Sequence, residues 1–144
     1  MGVRPVRILL VEDNPDHVFI TRRALRDAHE GGVVLDHVED GQEATDYLFR
    51  RGCHVDAPRP DLILLDLHLP NKSGLEVLQE IKQDPELRRI PVIVLTTSDA
   101  EQDILNSYDL HANSYISKPV SASEYIEKVR AIPAYWAKVS ELPR

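Results

Sequence analysis

Residues 62–70 read Leu-Ile-Leu-Leu-Asp-Leu-His-Leu-Pro, in which four aliphatic residues of strand length are followed directly by Asp66. A short apolar run without polar alternation is typical of a strand covered on both faces of a parallel sheet. Four further runs of four to six residues recur along the chain: Val6–Val11, Val33–Val38, Val92–Thr96 and Ser114–Ser117. We therefore predict a sheet of five strands.

The segments between these runs have helical character, and several carry a recognisable start. Asn14 is a good N-cap and is followed by Pro15, which is favoured at the first helical position. Three further starts have the capping-box spacing: Asp40 with Glu43, Ser73 with Glu76, and Ser98 with Glu101. Alternating strands and helices predict a doubly wound α/β fold, with a parallel sheet and helices on both faces.

The length and composition restrict the class of protein. The 144 residues are enough for one domain, and 24 acidic against 17 basic residues give a net charge of −7. We therefore expect no broad basic face for nucleic acid. No apolar run approaches the roughly 20 residues that span a bilayer, so we expect no membrane partner. The single cysteine, Cys53, indicates a reducing compartment, and we expect a cytoplasmic protein.

Polar residues stand where four of the predicted strands end. Glu12 and Asp13 follow the first strand, Asp66 the third, Thr96 ends the fourth, and Lys118 follows the fifth. In a doubly wound sheet, ligands bind beyond the carboxyl ends of the strands, so we expect these groups to share one crevice. Carboxylates placed close together repel each other unless a cation lies between them.

Three carboxylates, a hydroxyl and an ammonium in one crevice are suited to phosphoryl transfer assisted by Mg²⁺, which prefers oxygen ligands. The predicted metal ligands are Glu12, Asp13, Asp66 and the backbone carbonyl of His68, with Glu12 acting through water. Asp66 is the natural nucleophile and phosphoacceptor. The Lys118 ammonium and the Thr96 hydroxyl complete the predicted catalytic set, because they can bind phosphoryl oxygens.

The six histidines show no metal-ligand spacing on one helix face. We predict surface or turn positions for all of them: His17, His29, His37, His54, His68 and His111. None has the sequence context of a phosphorelay histidine.

Four motifs resemble the receiver domain of two-component response regulators. They are residues 9–14, residues 64–70 with Gly74, residues 94–98 and residues 115–119, and they occur in order. The resemblance implies a flavodoxin-like fold with strand order 2-1-3-4-5, and phosphorylation of Asp66 by a partner histidine kinase. It also implies one receiver domain over 1–144, with its core at about 6–129 and a helical extension at about 130–144.

The same resemblance implies roles for four residues near the fourth and fifth strands. Thr96 is the expected switch hydroxyl, Tyr115 the switch aromatic, Lys118 the phosphate-binding lysine, and Pro119 a cis-proline. The sequence departs from the family pattern at Leu69, where many receivers have Met, and at His68, where receivers that accompany phytochromes often have Asn. The imidazole of His68 puts the lifetime of the phosphorylated state in question.

A narrower resemblance is to the stand-alone receivers that accompany cyanobacterial and bacterial phytochromes. Residues 95–98, the arm formed by residues 50–60 and the tail that begins at Ala134 carry it. It implies a phytochrome-type histidine kinase as the partner.

Three other functions can be compared with this one, and the residues argue against each of them. A haloacid-dehalogenase-type phosphatase also uses an aspartyl nucleophile, but it needs a second Asp where this chain has His68. A flavin carrier needs a phosphate loop where Glu12 and Asp13 would repel phosphate. A degenerate receiver would serve only as a scaffold. In this chain, however, every position of the phosphoacceptor site carries the residue type that the site needs. We therefore expect a signalling protein that promotes only its own phosphorylation and dephosphorylation, not an enzyme with a separate substrate.

The last predicted helix carries an apolar stripe that continues past Pro133. Its members follow a 4-3-4-3 spacing: Tyr125, Val129, Ile132, Trp136 and Val139. Core packing explains the start of the stripe, whereas its end outruns the domain and would expose Trp136. We therefore predict a homodimer through the fifth strand and the last helix, with Tyr125, Val129, Ile132 and Trp136 at its interface.

Overall fold

The computed structural model describes residues 4–26, 28, 31–96, 114–117 and 122–133. Five strands are described: β1 (Val6–Val11), β2 (Val33–Val38), β3 (Leu62–Asp66), β4 (Val92–Thr96) and β5 (Ser114–Ser117). The described helices are α1 (Pro15–Leu25), α2 (Gly41–Leu48), α3 (Gly74–Gln83) and α4 (Ala122–Arg130). Two short 3-10 helices lie at Gly52–His54 and Leu87–Arg89. Within these described ranges, no helix is long and apolar enough to cross a bilayer.

The strands form one sheet in the order β2-β1-β3-β4-β5, and every pairing is parallel. The predicted α/β architecture and the order β2-β1-β3-β4 are confirmed. Strand β5 pairs with β4, and Thr96 lies opposite Ser117.

Side chains of the central strands point alternately into two cores, one on each face of the sheet. Leu9, Val11, Ile63 and Leu65 pack with α2 and α3 on one face. Ile8, Leu10, Leu62 and Leu64 pack with α1 and α4 on the other. All eight are fully buried, and each contributes about 1.5 to 3 kcal/mol through its removal from water. The prediction of helices on both faces is therefore confirmed.

Three of the four predicted helix starts are confirmed by their caps. The Asn14 side chain accepts a hydrogen bond from Asp16 N at 2.9 Å at the start of α1. The Asp40 carboxylate accepts one from Glu43 N at 2.7 Å at the start of α2. Ser73 caps α3 by accepting from Glu76 N at 3.2 Å. The predicted cap at Ser98 lies outside the described residues.

Helix α4 corrects the prediction for the dimer interface. Tyr125, Val129 and Ile132 are only 6%, 0% and 4% exposed, because they pack into the core between α1 and the sheet. The Tyr125 hydroxyl lies 2.9 Å from Thr21 Oγ1 of α1, within hydrogen-bond distance. The prediction that these three side chains contact a partner is therefore wrong, since the chain's own core covers them. Trp136 lies outside the described residues.

Candidate functional site

The strand register aligns the carboxyl ends of β1 and β3. Val11 lies opposite Leu65, so Glu12 and Asp66 follow at the same level of the sheet. On the other side of β3, Asp66 lies opposite Leu95. Neighbouring strands are about 4.8 Å apart, which places acidic residues of two distant chain segments side by side.

A cluster of three carboxylates forms at this edge, and we call Glu12, Asp13 and Asp66 the carboxylate cluster. Each residue offers one carboxylate oxygen, and these oxygens all lie within 4.8 Å of one another. Glu12 is fully buried and Asp66 is 5% exposed, whereas Asp13 faces solvent. Like charges at this spacing are costly unless a cation neutralises them. The oxygen donors therefore fit a hard divalent cation.

The Asp66 carboxylate is oriented by the chain that follows it. His68 N donates a hydrogen bond to Asp66 Oδ1 at 3.0 Å, so one oxygen is held by a local turn. The backbone closes this turn, since Gly74 N donates to Leu67 O at 3.1 Å. The His68 side chain is exposed. Asp66 is thus held at the end of a buried strand by backbone groups.

Gly74 allows α3 to begin directly against the end of β3. A Cβ at this position would collide with the Asp66 carbonyl oxygen and would lie 2.6 Å from Leu67 Cα. Both are backbone atoms, one at the buried end of β3 and one in the residue that follows it, and they cannot move aside cheaply. Gly74 belongs to one of the motifs that resemble receiver domains, and the structure gives a physical reason for it.

Two histidines contact Glu12, and the sequence prediction missed both. His17 Nδ1 of α1 lies 3.0 Å from Glu12 Oε1, and the carboxylate is the acceptor. His37 Nε2 of β2 lies 2.7 Å from the Glu12 backbone oxygen and donates to it. The prediction of a surface or turn position is wrong for His37, which is half-buried in a strand. The implied strand order places β2 beside β1, and this neighbourhood was the one sequence-level indication that His37 could reach Glu12. In the structure, His37 lies opposite Leu10.

The other predicted site residues have less structural support. Thr96 ends β4 and Tyr115 lies in β5, but their side chains are outside the described part of the chain. Lys118 and Pro119 also lie outside the described residues. The structure therefore brings together the three carboxylates, and the roles of the remaining residues stay predictions.

Comparisons with known proteins agree on one family. The family model described as the response regulator receiver domain matches residues 8–130. Response regulator Rcp1 of Synechocystis sp. (strain ATCC 27184 / PCC 6803 / Kazusa) is 42% identical over 143 residues. This alignment covers 96% of the present chain and 94% of Rcp1.

Solved structures show the same similarity. The crystal structure of the phosphorylated cyanobacterial phytochrome response regulator RcpA is 47% identical with a TM-score of 0.86. That match covers 96% of this chain and 99% of RcpA. The Mn²⁺-bound form of Rcp1 is 42% identical with a TM-score of 0.85, and the match covers 97% and 100% of the two chains. The similarity thus extends over nearly the whole length of these relatives.

Proposed function

Because the chain belongs to the response regulator receiver domain family, we propose that it accepts a phosphoryl group on Asp66 and thereby controls a protein-interaction surface. The meeting of Glu12, Asp13 and Asp66 at one sheet edge is the observation that carries this proposal. Family membership favours a signalling receiver over the phosphatase and the flavin carrier.

The proposed cation is Mg²⁺. Asp13, Asp66 and the His68 carbonyl would hold it directly, and Glu12 would act through water. The similarity to the Mn²⁺-bound form of Rcp1 supports the choice of a divalent ion. When bound, the cation neutralises negative charge on the phosphoryl oxygens.

The proposed reaction forms one bond and breaks one bond at phosphorus. An Asp66 carboxylate oxygen bonds to the phosphorus of a kinase phosphohistidine, while the phosphorus–nitrogen bond breaks and its electron pair returns to the imidazole. The product is an acyl phosphate on Asp66 and a free kinase histidine.

Lys118, Thr96 and Tyr115 are the proposed response elements. The Lys118 ammonium and the Thr96 hydroxyl bind phosphoryl oxygens, and Tyr115 follows Thr96 inward. Shifting a conformational equilibrium from 1:99 to 99:1 takes about 5.5 kcal/mol. Two or three charge-assisted hydrogen bonds of about 1.5 to 3 kcal/mol each are sufficient.

The proposed donor is a histidine kinase of the phytochrome type in the cytoplasm. The similarity to RcpA, described as a phytochrome response regulator, supports this choice. When the chain is mixed with such a kinase, labelled ATP and Mg²⁺, we expect label to pass from the kinase to the chain. Hydroxylamine should release this label, because it cleaves acyl phosphates, and chelation of Mg²⁺ should prevent the transfer.

The control is the same mixture with a kinase that lacks its phosphorylatable histidine, which should leave the chain unlabelled. A chain that takes no label from any kinase, nor from acetyl phosphate as a small donor, is not a phosphoacceptor.

We also propose a homodimer that involves the fifth strand, the last helix and Trp136. Light scattering at tens of micromolar should then give twice the chain mass of 16.3 kDa. Trp136→Ala should shift this mass towards the monomer, because it removes a large apolar contact. A strictly monomeric mass, with and without phosphorylation, would rule the dimer out.

A further inference from the structure

We propose that Lys72 is a positioning residue, which sets the divalent-cation affinity of the carboxylate cluster by fixing the loop that carries the His68 carbonyl. The loop comprises residues 67–73, between β3 and α3. The inference rests on the proposed function, since it assumes that the cluster binds a cation. Lys72 acts through the loop and does not touch the cation.

Backbone N–H groups donate hydrogen bonds that hold the loop both at its base and at its tip. At its base, the Leu67 carbonyl accepts from Gly74 N at 3.1 Å, and His68 N donates to Asp66 Oδ1 at 3.0 Å. At its tip, Lys72 N donates to Pro70 O at 2.7 Å. A shift of the tip is therefore transmitted to the His68 peptide over a few bonds.

The start of α2 supports the loop tip. Gly41 lies so close to the Lys72 carbonyl that a Cβ on Gly41 would collide with it. Asn71 Nδ2 donates to Asp40 Oδ2 at 3.0 Å, while Asp40 Oδ1 caps α2 by accepting from Glu43 N. Asn71 holds the left-handed backbone conformation, with φ of 66°, which a short polar side chain tolerates.

The Lys72 side chain then ties the loop to two helices. Its ammonium donates to Glu80 Oε2 of α3 at 2.8 Å and to Thr45 Oγ1 of α2 at 3.2 Å. The Thr45 hydroxyl itself lies 3.1 Å from Glu80 Oε2 and 3.0 Å from Gly41 O, and it donates to one of these acceptors at a time. We call this arrangement of Lys72, Thr45 and Glu80 the lysine clip.

The clip is largely shielded from solvent. The Lys72 side chain is 17% exposed, and Thr45 is 1% exposed, although Glu80 is 40% exposed. An ion pair in this setting is screened less than a fully exposed pair. The clip therefore joins the loop, α2 and α3 into one unit.

Positioning and electrostatics predict opposite effects of removing the Lys72 charge. Each positive charge on the chain opposes binding of a divalent cation, so loss of the Lys72 charge alone would tighten divalent-ion binding. Loss of positioning would weaken binding, because Mg²⁺ requires near-ideal octahedral ligand geometry. Changes to groups that orient metal ligands typically cost about 10- to 100-fold in affinity.

The test is the Mg²⁺ affinity of the unphosphorylated chain, measured by isothermal titration calorimetry. We expect Lys72→Met to raise the dissociation constant for Mg²⁺ about tenfold. Lys72→Arg should restore most of the affinity, since it keeps the charge and the donors. In the metal-free protein, the His68 and Gly74 amides of Lys72→Met should exchange with deuterium faster than in the unaltered chain.

Lys82→Met is the matched control, at a lysine of α3, the helix that carries Glu80. Lys82 forms no ion pair with any residue in the described ranges, and partial burial lowers the pKa of its ammonium. This variant removes the same charge without touching the clip, so its Mg²⁺ affinity should be unchanged or slightly higher. A lower affinity in Lys72→Met together with unchanged affinity in Lys82→Met supports positioning.

Thr45→Val provides a second variant that changes no charge, and it carries the test if Lys72→Met does not fold. It should weaken Mg²⁺ binding by a smaller factor, since the Lys72–Glu80 pair remains. Unchanged or tighter binding in both Lys72→Met and Thr45→Val would overturn the inference and leave the proposed function intact. A complete lack of Mg²⁺ binding in the unaltered chain would overturn the proposed metal site as well.

Discussion

Asp66→Asn is expected to abolish phosphoryl labelling of the chain while its fold persists. The side-chain amide of Asn cannot form the acyl phosphate that a carboxylate forms. Its carbonyl oxygen can still accept the hydrogen bond from His68 N, and its volume matches that of the buried Asp66. The substitution also removes one of three clustered negative charges. Urea unfolding should therefore show a midpoint equal to or above that of the unaltered chain.

Asp56→Asn is the matched control for this prediction, because Asp56 is exposed in the segment between α2 and β3. It should be labelled as the unaltered chain is. Full labelling of Asp66→Asn would show that another residue is the acceptor.

Gly74→Ala is expected to lower the free energy of unfolding by at least about 3 kcal/mol. The new Cβ would collide with the Asp66 carbonyl and would lie 2.6 Å from Leu67 Cα, so α3 must move away from the end of β3. This movement disturbs the turn that orients Asp66, so the rate of phosphoryl labelling should fall as well. Urea unfolding measures this change in the free energy of unfolding, and the slope of that free energy against urea concentration should stay unchanged.

The control for Gly74→Ala is Gly52→Ala. Gly52 has a φ of 60°, yet a Cβ there would meet no atom within 4 Å. Its cost is therefore that of a left-handed backbone conformation, about 1 kcal/mol, and labelling should be unaffected. Equal destabilisation by the two substitutions would contradict a special role for the contact between α3 and β3.

The fold and the acidic part of the site could be predicted because both depend on local signals. Aliphatic runs of strand length identified β1, β3 and β4, and cap residues identified three helix starts. The carboxylate cluster followed from the rule that the carboxyl ends of parallel strands meet at one edge. The position of Asp66 at the end of a buried strand required no information from elsewhere in the chain.

What could not be predicted depends on which distant surfaces meet. An apolar stripe favours burial in the chain's own core and burial against a partner equally, so Tyr125 and Ile132 were assigned to a dimer interface although they are internal. His37 reaches Glu12 only because β2 lies beside β1. The lysine clip joins residues 45, 72 and 80 across a loop and two helices, and no periodic pattern relates them.

The exposed thiol of Cys53 gives the chain a single chemical handle. It lies in the short 3-10 helix Gly52–His54, between the end of α2 and the start of β3, and is not part of the carboxylate cluster. A maleimide fluorophore would attach at this one place without any substitution. Energy transfer from such a dye to a labelled kinase would then report docking in real time, with the acceptor pocket left unmodified.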